Sequence, residues 1–216
     1  MMSVVKVVRH GQVHNPQAVL YGRLPGFGLS DLGGQMAVRL GEYFAGANLV
    51  HLVSSPLQRA LETMAPIAAG HPELEVHLDR RAIEAGNVFE GVSFGKDYAL
   101  FRNPANWWAF RNPLRPSWGE PYREIAARMH AAIASAHEAA TRAGGDAVIV
   151  SHELPIWMAR LSAQGKLLPH DPRHRQARLA SVTTFTVEGS QVRWVGYDEP
   201  AQDLTPPKRR KFRPGA

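Results

Sequence analysis

A β-branched run, Ser3–Val8, stops at Arg9-His10-Gly11, and no other feature constrains this chain's fold as strongly. The run predicts a buried strand that delivers an arginine and a histidine to its carboxyl end. The same device recurs at Ala147–Val150, an apolar run closing on Ser151-His152. Leu49–Ser54 predicts another strand and Val76–Leu78 a short one. Helices are expected between them. Ser30 can cap a helix running to Ala45, with Leu32, Met36, Leu40 and Phe44 repeating on one face. Ser55-Pro56-Leu57-Gln58 offers a cap serine, a first-turn proline and a glutamine able to close a capping box, which predicts a helix reaching Ala69. Glu120–Ala143 is a long Ala-rich helix ended by Gly144-Gly145, and Pro155–Gln164 a shorter one. Val182–Val187 and Val192–Tyr197 form a hairpin across Glu188-Gly189-Ser190-Gln191.

Strands alternating with helices predict a three-layer α/β/α sandwich. The terminal hairpin requires an antiparallel strand, so the sheet should be mixed but mostly parallel. A chain of 216 residues suits one domain, here 1–200, with 92–118 as a lid or insertion. In that stretch Phe101, Trp107, Trp108, Phe110 and Trp118 alternate with Arg102, Arg111 and Arg115, and periodicity is lost.

Composition narrows the chemistry. Cysteine is absent, which removes disulfides, thiolate metal sites and cysteine nucleophiles together. The formal charge is +6, but 201–216 hold five basic residues from Lys208 to Arg213 against Asp203, leaving only +2 for the rest. The basicity therefore belongs to a Pro-flanked tail, expected to be disordered, and the body is nearly neutral. No apolar run is long enough to span a membrane, and the short N-terminal block does not resemble a secretory signal, so a cytoplasmic location is expected.

Chemistry in an open α/β sheet gathers at the carboxyl ends of strands. His10 and His152 both lie at such ends. Arg59 begins the helix after Leu49–Ser54, where N–H groups and the helix dipole favour an anion, and Arg9 adjoins His10. Two guanidiniums and two imidazoles on one rim, with no acidic cluster to claim them, make a phosphate pocket.

These residues resemble the histidine phosphatase superfamily, the group that includes cofactor-dependent phosphoglycerate mutases. Arg9-His10-Gly11 matches its signature at the end of the first strand. Ser54-Ser55-Pro56-Leu57-Gln58-Arg59-Ala60 is similar to the block supplying a phosphate-binding arginine, and Val150-Ser151-His152 to the final block. Glu84, in Arg80-Arg81-Ala82-Ile83-Glu84 followed by Phe89-Glu90-Gly91, is similar to the block carrying the proton donor, with Glu90 as the alternative acid. The resemblance implies that His10 attacks phosphorus to form a phosphohistidine, without metal or cofactor. Arg9, Arg59 and His152 would bind the phosphoryl oxygens, and Glu84 would protonate the leaving oxygen. Asn15, Gln12 and Arg23, in the loop after the nucleophile, would contact substrate.

The chain departs from the mutases in three ways. Asn15 lies one residue nearer the triplet than usual, Glu153 follows the second histidine where glycine is common, and longer segments of true mutases are missing. The expectation is therefore a metal-independent phosphomonoesterase acting on a small phosphorylated metabolite, with a mutase-type phosphoryl transferase as the alternative. Two remoter readings remain. Gly91-Val92-Ser93-Phe94-Gly95 fits a nucleophile elbow, with Asp146 and His152 in serine-hydrolase order. The basic tail could serve a nucleic-acid-binding module. Neither nucleic acid nor membrane is the expected partner, and the sequence leaves the oligomeric state open.

Overall fold

A computed structural model describes residues 3–93, 107 and 118–204. It contains strands β1 (Val5–Arg9), β2 (Leu49–Ser54), β3 (Val76–Leu78), β4 (Asp146–Ser151), β5 (Val182–Glu188) and β6 (Gln191–Asp198). The helices are α1 (Asp31–Phe44), α2 (Gln58–Ala69), α3 (Tyr122–Ala143) and α4 (Glu153–Ala163). The strands form one sheet in the order β3-β2-β4-β1-β5-β6. The first four in that order run parallel, whereas β5 is antiparallel to β1 and β6 to β5. The expected mixed, mostly parallel sandwich is observed.

Both faces of the sheet are buried. Val8, Leu52, Val148, Val150 and Val182 meet α1 and α2 through Met36, Leu40, Phe44, Met64 and Ile67. On the other face Val5, Val7, Val53, Ile149 and Phe185 meet α3 and α4 through Met129, Ile133, Ile156 and Ala159. This two-sided burial explains why β1 and β4 are continuous apolar runs rather than alternating ones. The chain leaves β1 toward one face and β4 toward the other, which opens a crevice at their carboxyl ends. The expected site lies there.

Local chemistry sets the element ends. Ser30 accepts from the Gly33 N–H at 3.1 Å and caps α1 as expected. Gly144 ends α3 in the left-handed region, at φ 78°. The expected capping box on α2 does not form: the helix starts at Gln58 with Leu57 as its cap and no side-chain cap bond. The Ser55 hydroxyl is engaged with His152, and the Gln58 amide donates to Glu62 at 2.7 Å. Gly11 is required by close packing, since a Cβ there would stand 2.6 Å from the Gly33 carbonyl oxygen. Of the expected 92–118 segment, 94–106 and 108–117 lie outside the described residues, as does the tail beyond 204. Among the described residues no helix is long and apolar enough to cross a membrane.

The Gly11 contact is with backbone, which cannot rotate away. Gly11→Ala is expected to lower unfolding free energy by about 1–3 kcal/mol in urea titrations, the usual cost of overpacking.

Candidate active site

Strand register assembles the site. Arg9 of β1 lies opposite Ser151 of β4, and one residue further the His10 N–H donates to the Ser151 carbonyl at 3.1 Å. His10 and His152 are thereby neighbours, with ring centroids 5.1 Å apart. Both are buried. The His10 Nδ1 lies 2.7 Å from the Gly11 carbonyl, which can only accept, so Nδ1 carries the proton and Nε2 keeps its lone pair. Burial, then Arg59, then Arg9, hold the His10 pKa well below its ordinary 6.5, against an opposing pull from the Gly11 bond. The imidazole is neutral near pH 7.

Arg59, in the first turn of α2, has the largest fully buried side chain among the described residues. Its Nη2 donates to the Gly22 carbonyl at 2.7 Å, and the guanidinium sits 4.7 Å from the Tyr21 ring centroid. Its Nε, also buried, has no hydrogen-bond partner. Arg9 is held differently. Its Nη1 donates to the Ala177 carbonyl at 2.7 Å, and its Nη2 lies 3.3 Å from Glu153, which is also 3.9 Å from Arg175.

His152 occupies the cap position of α4 with Nε2 2.8 Å from the Ser55 Oγ, so the N-termini of α2 and α4 meet at this bond. Its Nδ1 is buried without a partner. Burial, Arg59, His10, Arg9 and Arg128, in that order, push its pKa well below the ordinary value. When Ser55 donates, the ring proton sits on Nδ1 and becomes a donor for an anion.

Glu84 faces this group. Burial raises its carboxyl pKa, opposed by the Ala85 N–H that Oε1 accepts at 2.8 Å and by the charges of Arg59 and Arg9, whereas Glu153 reinforces the rise. Glu90 instead accepts from the Asn87 N–H at 3.2 Å and packs against Gly22. Burial of the Glu84 carboxyl thus favours its protonated form, the form a general acid needs.

The three expected substrate contacts, Asn15, Gln12 and Arg23, each make hydrogen bonds within the protein. The Asn15 amide is consumed by Val19, donating to its carbonyl at 2.8 Å and accepting its N–H at 3.0 Å. The Gln12 Oε1 accepts from the Ser30 hydroxyl at the start of α1. Arg23 donates to the Glu84 carbonyl at 2.7 Å and to Glu120 at 2.8 Å. These groups brace loops. The serine-hydrolase triad is also absent: Ser93 donates to the Gln17 carbonyl at 2.7 Å, and Asp146 begins β4 at the end opposite His152. Among the described residues no three His, Asp or Glu side chains gather to hold a metal ion. Sequence reasoning missed Ser55 and Tyr21 as parts of the site, and Glu120 and Arg128 behind it. Ser55 stood in a recognised block, but as a presumed helix cap. The other three carried no local signal.

A sequence model of the histidine phosphatase superfamily (branch 1) matches residues 5–200. The chain is 50% identical over 197 residues to the uncharacterized protein Rv0525 of Mycobacterium tuberculosis, covering 91% of this chain and 96% of that protein. Solved structures share the fold. Bacillus stearothermophilus YhfR superposes with TM-score 0.73 at 23% identity, covering 89% of this chain and 95% of that one. Mycobacterial glucosyl-3-phosphoglycerate phosphatase Rv2419c gives 0.71 at 24%, covering 89% and 96%. Entamoeba histolytica phosphoserine phosphatase in complex with 3-phosphoglyceric acid gives 0.74 at 21%, covering 94% and 100%.

The buried histidines have a thermodynamic signature. Their folded pKa values lie below the ordinary 6.5, so below that pH the unfolded chain binds more protons and stability falls. Each contributes a slope of at most about 1.4 kcal/mol per pH unit. Urea unfolding across about pH 7.5 to 5 should show this loss, and His10→Asn should reduce the slope by one proton's worth.

Proposed function

The chain belongs to the histidine phosphatase superfamily, and on that premise we propose that it is a metal-independent phosphomonoesterase acting on a small phosphorylated metabolite. The observation that carries this reading is the bond from His10 Nδ1 to the Gly11 carbonyl. It turns an unprotonated Nε2 into the nucleophile of a pocket whose other groups suit an anion.

The reaction proceeds in two displacements. Nε2 of His10 attacks phosphorus while the ester P–O bond breaks, and Glu84 gives its proton to the leaving oxygen. Arg9 and Arg59 receive the phosphoryl oxygens, together with the Nδ1 proton of His152, in a site with little water to screen them. Water then attacks the phosphohistidine, Glu84 takes its proton, the P–N bond breaks, and His10 returns to the neutral imidazole with inorganic phosphate as product. The raised carboxyl pKa of Glu84 supports its role as initial acid.

A screen of phosphorylated metabolites in the presence of EDTA tests the reading. Wild-type protein is expected to release phosphate from at least one of them undiminished by chelator, and His10→Ala to be inactive on the same compound. Activity surviving in His10→Ala, or vanishing with EDTA, would contradict the mechanism.

A further inference from the structure

The segment that carries Glu84 is held by its backbone. Arg128 Nη1 donates to the carbonyls of Arg81 at 2.6 Å and Ile83 at 2.7 Å. The buried Ser151 hydroxyl donates to the Ala82 carbonyl at 2.8 Å, and Arg23 Nε to the Glu84 carbonyl at 2.7 Å. Four consecutive carbonyls, 81 to 84, are thus bound by side chains of three residues far away in sequence.

One carboxylate sets both arginines. Glu120 accepts from Arg128 at both oxygens, 2.7 Å from Nε and 3.1 Å from Nη2, and from Arg23 Nη2 at 2.8 Å. Bidentate pairing fixes the plane of the Arg128 guanidinium, so its remaining edge faces the two carbonyls. Glu120 is fixed in turn, because its N–H donates to the Gly86 carbonyl at 3.1 Å while the Val88 N–H donates to the Trp118 carbonyl at 2.8 Å. Residues 118–120 are therefore stitched to 86–88, just beyond Glu84. Ser151 adds a tie of another kind: it precedes His152, so the acid-bearing segment is registered against the strand end that presents the second imidazole.

We infer that Glu120, Arg128 and Arg23, with Ser151, form a clamp that positions the Glu84 carboxyl against the leaving oxygen. The inference rests on the reading of Glu84 as the acid. Proton transfer demands a carboxyl within hydrogen-bond reach of the reacting oxygen, and looseness of an ångström in its support degrades catalysis. Beyond the short 3₁₀ turn Arg80–Ala82 the segment has no helix or strand to hold it, so the clamp replaces secondary structure. These are positioning residues: Arg128, Ser151 and Arg23 hold the backbone from Arg81 to Glu84, and Glu120 holds the two arginines.

Leaving-group dependence distinguishes positioning from general structural support. A good leaving group needs no acid, whereas a poor one does. The kcat/KM values of Glu120→Gln, Arg128→Met and Glu84→Gln are compared with wild type on 2,4-dinitrophenyl phosphate and on phenyl phosphate. Glu84→Gln is expected to lose about 100-fold or more on phenyl phosphate and far less on the dinitrophenyl ester. The clamp variants should show the same bias, about 10-fold against less than about 3-fold, with inhibition by inorganic phosphate unchanged. Should Arg128→Met fail to fold, Glu120→Gln, which keeps the side chain's shape, carries the test. If Glu84→Gln shows the bias and the clamp variants lose both substrates equally, or neither, the clamp is refuted and the acid stands. If Glu84→Gln shows no bias, both the acid reading and the clamp fall.

Discussion

The parallel pairing of β1 with β4, with Arg9 opposite Ser151, is the constraint on which the site depends. It sets His10 beside His152, brings the Ser151 hydroxyl to the acid-bearing segment, and aims both strand ends at the same crevice. A slip of one residue would turn each side chain to the opposite face of the sheet. The register is protected by burial on both sides: Val5 and Val7 pack under α3 and α4, Val8 under α1 and α2. The apolar core thus fixes the geometry of the polar site.

That site is electrostatically costly. Two buried imidazoles, two buried guanidiniums and a carboxyl with raised pKa share one pocket. Unpartnered buried polar atoms destabilise a fold, and Arg59 Nε and His152 Nδ1 are two of them. Both belong to the group assigned to the phosphoryl oxygens, whose arrival would satisfy them. Glu153 moderates the excess of positive charge by sharing Arg9 and Arg175. This arrangement accounts for the carboxylate that follows the second histidine in place of a small residue.

Much of the fold was legible because its signals are local. The fourfold repeat of Met36, Leu40 and Phe44 is the buried stripe of α1, and Gly144 ends α3 in a conformation glycine adopts easily. His10, Arg9, Arg59 and His152 were legible because they sit at element ends. The rest depends on partners that no local pattern names. Ser55 has the sequence of a helix cap, yet His152, 97 residues away, takes its hydroxyl. Asn15 and Gln12 have the polarity of ligand groups, and in the structure they hydrogen-bond Val19, four residues on, and Ser30. Glu84 and Glu90 are both carboxylates of one block, and the raised pKa of Glu84, set by its burial, is not written in the local sequence. Glu120 precedes α3 and Arg128 lies in its second turn, and their partners appear only when residues 81–84 fold back onto them.

In the proposed mechanism His10 becomes phosphorylated through Nε2. Alkaline quenching of the enzyme during turnover, followed by peptide mapping in the mass spectrometer and phosphorus NMR of the labelled peptide, tests it directly. A base-stable, acid-labile phosphate is expected on the peptide containing His10, attached at Nε2. Phosphate on any other residue, on Nδ1, or on no residue while substrate is being consumed would contradict it.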